Sequence, residues 1–107
     1  MKQYTSLEEF AAELPGLTAD VKDKLAGKDS VFLLQTKQGR QWTIRLKNGI
    51  AEVAEVPTEK ADCTVVADEK TLLDLINGKA NPVTAILFGK VKIQGDSTRL
   101  MELIRLL

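Results

Sequence analysis

Asn77-Gly78-Lys79-Ala80-Asn81-Pro82-Val83-Thr84-Ala85-Ile86-Leu87-Phe88-Gly89-Lys90-Val91-Lys92-Ile93-Gln94-Gly95-Asp96 decides the fold, because each break and each apolar run in it has a physical assignment. Asn77-Gly78 closes a preceding helix, since glycine takes the left-handed conformation of a helix end without steric cost. Asn81-Pro82 opens the next: Asn is a strong N-cap, and Pro at the first helical position has no N–H to leave unpaired. Gly89 ends that helix after about two turns. Around it Val83, Ala85, Ile86, Leu87 and Phe88 point in nearly every direction, and only Thr84 offers polarity. A helix apolar all round is buried on all sides, so this one is expected between two layers, or between one layer and a bound apolar molecule. Val91 and Ile93 then alternate with Lys90, Lys92 and Gln94, the period of a half-buried strand. Gly95-Asp96 starts a last helix.

Working outward, Asp68 is expected to cap the helix before this stretch. There Leu72, Leu73, Leu75 and Ile76 cover a wide arc while Lys70, Asp74 and Asn77 face out. Cys63 to Ala67 reads as a strand, reached through a polar connection from Val56-Pro57 to Asp62. Pro57 marks a strand edge or exit. Before it, Trp42, Ile44 and Leu46 alternate with Gln41, Thr43, Arg45 and Lys47, and Asn48-Gly49 is a strong hairpin signal favouring a type I′ turn. A two-residue loop fixes the register: Leu46 opposite Ala51, Ile44 opposite Val53, Trp42 opposite Glu55, and Arg45 opposite Glu52 on the outer face. Val31 to Thr36 is an apolar strand, joined to the hairpin by the Lys37-Gln38-Gly39-Arg40 turn.

At the start of the chain, Ser6 with Glu9 makes a capping box, and Leu7, Phe10, Ala11 and Leu14 share one face of a helix. Pro15-Gly16 is expected to stop it. A weaker helix is expected from a Thr18 cap to Leu25, with Leu17, Val21 and Leu25 inward, followed by the Ala26-Gly27-Lys28-Asp29 turn. Beyond the opening stretch, a helix from Ser97 to Leu107 sets Leu100, Met101, Leu103, Ile104 and Leu107 against Arg99, Glu102 and Arg105. The whole reads as α+β, one mostly antiparallel sheet of about five strands with helices on one face.

The 107 residues suit one domain, 1–107, that buries roughly two thirds of its unfolded surface. Fifteen Lys plus Arg balance fifteen Asp plus Glu, so net charge gives no pull toward nucleic acid or an anionic membrane, and there is no basic footprint. The first fourteen residues lack a signal peptide's apolar run, and no stretch approaches the ~20 apolar residues of a membrane span. A cytoplasmic protein is the expectation. The terminal Arg105-Leu106-Leu107 is not a peroxisomal address of the Ser-Lys-Leu type. One cysteine and no histidine remove Ser-His-Asp hydrolysis, Cys-His proteolysis and the ordinary zinc sites. Cys63, in an apolar run, reads as a buried, inert thiol. No catalytic residue, metal ligand or cofactor is expected.

The run Gly78-Lys79, Asn81-Pro82, Ala85, Gly89-Lys90, Lys92-Ile93 and Gly95-Asp96 resembles the signature region of the sterol carrier protein 2, or nonspecific lipid-transfer, family. The likeness extends through Asp62-Cys63-Thr64, the Leu-rich helix after it and the Lys47-Asn48-Gly49 turn. It covers most of the chain as one domain, and the order and spacing of the pieces carry it. The resemblance implies the same architecture, with a tunnel between sheet and helices for an acyl chain, sterol or similar lipid. The function it implies is noncatalytic lipid binding and transfer, with a fatty acid, acyl-CoA or sterol-like ligand.

Burying ~10 methylenes at ~0.8 kcal/mol each yields ~8 kcal/mol, and ordering costs take back at least ~4. Micromolar affinity therefore needs a preformed cavity. The apolar walls expected are Trp42 and Ile44 from the sheet, Leu72 and Ile76 from the middle helix, Leu87 and Phe88 from the short helix, and Met101 and Ile104 from the last. Taken singly, each of these also fits an ordinary core position. Lys79, Lys90 and Lys92 suit either a lipid headgroup or plain solvation. The partners expected are a lipid, a weak or transient membrane contact and, in oligomeric state, a monomer or homodimer. The competing class is a noncatalytic interaction module that dimerises or docks on a partner enzyme through its apolar helices. An enzyme is the weakest case, because no carboxylate pair or nucleophile has a visible partner.

Overall fold

The computed structural model describes residues 3–57 and 60–106, with side chains as far as 103. Ten elements follow in the chain: α1 (Leu7–Ala19), α2 (Lys22–Leu25), β1 (Ser30–Thr36), β2 (Gln41–Lys47), β3 (Ile50–Ala54), β4 (Cys63–Ala67), α3 (Glu69–Ile76), α4 (Pro82–Leu87), β5 (Val91–Gly95) and α5 (Ser97–Leu106). The strands form a five-stranded sheet in the order β3-β2-β1-β4-β5. Three neighbouring pairs are antiparallel, and β1 runs parallel to β4. The fold is α+β with a mostly antiparallel sheet.

The hairpin register is the one that the two-residue loop dictates, with Leu46 opposite Ala51, Ile44 opposite Val53 and Arg45 opposite Glu52. Asn48 and Gly49 both have positive φ, 54° and 78°, as a type I′ turn requires. Through the neighbouring ladders, Phe32 aligns with Ile44 and Cys63, Leu34 with Trp42 and Val65, and Val65 with Ile93. These side chains share the inner face, where they join Leu7, Leu14, Leu25, Leu72 and Leu103 from the helices in the buried core.

α1 does not stop at Pro15. It runs on to Ala19, and its last turns are held by burial: Leu14 and Thr18 are almost wholly enclosed. A mid-helix proline removes one hydrogen bond, but the packing of Leu14 and Thr18 against the sheet outweighs that loss. Thr18 is therefore no cap. Its hydroxyl donates to the Pro15 carbonyl at 3.0 Å and accepts the Ala51 N–H at 3.3 Å. With Lys47 and Ile50 flanking the turn as a hydrogen-bonded pair, the Ala51 N–H points away from β2 toward the sheet edge. Thr18 closes that edge donor.

Two further caps differ from the expectation. Asp68 occupies the N-cap position of α3 without a side-chain cap bond. Instead Gln38, from the β1–β2 turn, accepts the Glu69 N–H at 3.2 Å and donates to Asp68. Asn77 does not face out: it is buried, and its side-chain amide both accepts from the Tyr4 N–H (2.7 Å) and donates to the Tyr4 carbonyl (2.9 Å). A buried amide needs such partners, and here they fasten the N-terminal segment to the end of α3.

After β3, the Val56 carbonyl accepts the Thr43 hydroxyl at 2.6 Å. Just before β4, the Asp62 carboxylate accepts the Val31 N–H at 2.7 Å and its carbonyl accepts the Asp96 N–H at 2.7 Å. Asp62 thus sets the entry of β4 and the start of α5 together.

Candidate functional site

The space between the inner sheet face and the helices is where the apolar residues converge. Trp42 (3% exposed) and Leu72 (5%) belong to the buried cluster, and Ile44 and Ile76 are half-buried against it. Met101 is half-buried on α5, the helix whose Leu100 and Leu103 reach the core. The side chain of Ile104 lies outside the described residues, as do those of Arg105 and Leu107. Leu87 and Phe88 are placed elsewhere: they are 79% and 76% exposed.

That exposure corrects the expectation that α4 is buried on all sides. The helix has six residues and touches the edge strand β5, and Ala85 is its buried member. Val83, Leu87 and Phe88 are more than half exposed, and Ile86 is partly so. An all-round apolar wheel demands a cover only when neighbours reach every side, and a short helix at a sheet edge meets one side.

Trp42 carries a polar structure that its strand pattern half disclosed. The Arg40 guanidinium stacks on its ring, 4.5 Å from the centroid. Arg40 in turn meets Glu55 through Nε (3.1 Å) and Nη2 (2.8 Å), Glu8 through Nη1, and Glu69 at 3.5 Å. Hydrogen bonding to Glu55 is the chief cause that raises the Arg40 pKa further above its already high value. One arginine thus gathers α1, the end of β3 and α3 around one edge of the tryptophan. The expected pairing of Glu55 with Trp42 does not form: β3 ends at Ala54 and the Glu55 side chain is about half exposed. Its carboxylate stands at the rim of the sheet, where Arg40, two residues before Trp42, reaches both it and the ring. Read only as part of a turn, Arg40 was missed.

Two open clefts border this interior. One, of about 270 Å³, has Leu25, Leu46 and Leu103 among its walls, with Lys28, Arg99 and Glu102 beside them. Lys28 and Glu102 stand 3.5 Å apart across it. Arg99 ties α5 to the start of β1 by donating to the Asp29 carbonyl (2.6 Å) and the Ser30 hydroxyl (3.0 Å). The other, of about 220 Å³, lies between α3 and α4 and includes Thr71, Asp74, Ala85, Phe88 and Lys90. Both are smaller than the ~300–1,000 Å³ typical of sites that enclose a small molecule.

Cys63 is fully buried, and burial pushes its thiol pKa up, with the charges of Asp96 and Asp62 adding to the effect. Among the described residues no group of three or more His, Cys, Asp and Glu is placed to hold a metal ion, and no helix is long and apolar enough to cross a membrane.

A five-stranded sheet covered by helices on one face, with an aliphatic and aromatic interior reached by clefts at its rim, defines a class of small α+β domain built around an apolar layer. The chain belongs to the SCP-2 sterol transfer family, whose family model matches residues 8–107. It is 36% identical over 97 residues to Sterol carrier protein 2 of Gallus gallus, covering 90% of this chain and 16% of that protein. The chain therefore spans about one sixth of the length of these curated relatives. Among solved structures, the sterol carrier protein domain 2 of Helicoverpa armigera aligns with a TM-score of 0.77 at 27% identity, over 91% of this chain and 84% of that one. The stereoselective inverting sec-alkylsulfatase Pisa1 from Pseudomonas sp. aligns with a TM-score of 0.75 at 31% identity, over 80% of this chain and 14% of that one.

Proposed function

We propose that this chain is a noncatalytic carrier that binds one fatty acid, acyl-CoA or sterol-like lipid between the inner sheet face and the helices. The observation that carries the reading is the family match over residues 8–107, laid on an interior whose facing residues are apolar. The ligand lies along β2. Its mouth is the cleft walled by Leu25, Leu46 and Leu103, and its far end is Trp42, four residues and roughly 13 Å further along the strand.

Attachment of the helices supports this path. α1 packs closely on β3, whereas α4 and α5 meet the sheet at its β5 and β4 side. Each of these two clefts is smaller than a whole lipid, and an outward movement of α5 would join the mouth to a wall of Ile44, Ile76 and Met101. Lys28–Glu102 and the Arg99 bonds are the contacts that must part. Selection then rests on length and shape, with few polar contacts at the mouth.

Native mass spectrometry of delipidated protein tests this. A C16 fatty acid, an acyl-CoA or a sterol should give a one-to-one adduct, and Ile44→Trp or Met101→Trp should remove it while the far-UV circular dichroism stays unchanged. Failure of all three ligand classes to bind folded wild-type protein would overturn the proposal. A second reading is a module that docks on or within a larger enzyme. Its support is the sec-alkylsulfatase, in which the matched region is 14% of the chain.

A further inference from the structure

α4 carries an apolar surface that the interior does not use. Val83 is 56% exposed, and Leu87 and Phe88 more so, yet the helix is firmly built. The Asn81 carboxamide accepts from the Val83 and Thr84 N–H groups, at 2.9 and 3.2 Å, and the Phe88 N–H bonds the Thr84 carbonyl at 3.0 Å. Lys90 N–H closes back on the Ala85 carbonyl at 2.9 Å. The exposed side chains therefore stand on a capped turn anchored by buried Ala85.

The charge around this turn is one-sided. From Leu75 to Gly95 the chain holds Lys79, Lys90 and Lys92 and no carboxylate, although the molecule as a whole has a net charge of zero. All three lysines are exposed. Lys90 lines the same cleft as Phe88, and the carboxylate on that cleft is the half-buried Asp74 of α3. Lys70, on the same helix, is exposed and adds to the positive side.

We infer that α4 is a membrane-docking wedge, which inserts Val83, Leu87 and Phe88 into the interface of a bilayer bearing anionic lipids while Lys79 and Lys90 meet the headgroups; Lys92, between inward-facing Val91 and Ile93, lies on the other sheet face. Apolar insertion and attraction to an anionic leaflet add in such binding, and lysine stems cover apolar surface while their heads stay in water. A second copy of the chain is the poorer occupant. A two-fold contact through α4 would bring together two patches that both carry excess lysine, whereas an anionic leaflet complements that charge. The inference does not depend on what the interior binds, because the wedge faces outward.

Co-sedimentation of the whole chain with vesicles tests it, with no transferable ligand present. Wild-type protein should bind phosphatidylcholine vesicles containing about one third phosphatidylglycerol more tightly than pure phosphatidylcholine, and added salt should weaken that binding. Leu87→Gln with Phe88→Gln should reduce the affinity more than tenfold with an unchanged melting temperature. Lys79→Ala with Lys90→Ala should reduce it several-fold and flatten the salt dependence. Equal binding by wild type and the Leu87/Phe88 variant would overturn the inference, as would no binding of wild type to either vesicle. So would a wild-type dimer abolished by the same glutamines in the absence of vesicle binding, which would assign the surface to self-association.

Discussion

Gly95 takes φ of +92°, and a Cβ added there would collide with the Asp62 carbonyl oxygen, the acceptor for the Asp96 N–H. Gly95→Ala should therefore cost at least ~1–2 kcal/mol from the left-handed backbone alone, with the collision adding to it; urea unfolding measures the loss. Thr18 makes its case through one hydroxyl. Thr18→Val keeps the shape but strands the Ala51 N–H at a buried edge, which should destabilise by ~1–3 kcal/mol. An unchanged midpoint would mean that water reaches that donor. Cys63 contributes through pH. Its thiol pKa is raised in the folded protein, so the folded form keeps a proton that the unfolded chain releases. That contribution is complete below the ordinary thiol value of about 8.5 and is lost as pH rises through the folded pKa. Between pH 7 and 10, wild-type protein should lose more stability than Cys63→Ala, and a thiol reagent should label Cys63 only as fast as the protein opens.

Among the elements, the β2–β3 hairpin was the most legible, because alternation and an Asn-Gly turn leave one register that puts Ile44, Leu46, Ala51 and Val53 on a common face. Arg45 and Glu52 face each other on the outer side, 4.0 Å apart and more than half exposed. A double-mutant cycle should give a coupling of at most ~1 kcal/mol; several kcal/mol would contradict their exposure. At Pro15 local propensity marks a stop, and only the tertiary burial of Leu14 and Thr18 explains why α1 continues. The roles of Asp68 and Asn77 are hidden from the sequence for a related reason. The partners that decide their roles, Gln38 and Tyr4, lie 30 and 73 residues away, beyond what a local pattern can show. α4 taught the opposite lesson: its wheel correctly gave an apolar helix, but a wheel does not say how many neighbours arrive. Hydrogen exchange should find the α4 amides less protected than those of α1, whose side chains reach the core and whose Thr18 closes the sheet edge.

At the scale of the whole molecule, the architecture and the apolar interior followed from periodicity and turn chemistry, while the contents of that interior did not. Leucine at helical spacing looks the same whether it packs on another leucine or on an acyl chain, so Ile44, Leu72 and Ile76 carry no mark of a ligand. Trp42 supplies the means to distinguish the two. It is the sole tryptophan, it is buried at the proposed far end of the path, and Arg40 holds its ring in place. The most direct measurement uses Trp42 as an energy-transfer donor to a conjugated polyene fatty acid titrated into delipidated protein, followed by competition with unlabelled fatty acid, acyl-CoA and sterol. A lipid carrier should show quenching that saturates near one equivalent and is reversed by at least one competitor. Transfer that never saturates, in protein that remains folded, would contradict the account and leave the interior as a filled core.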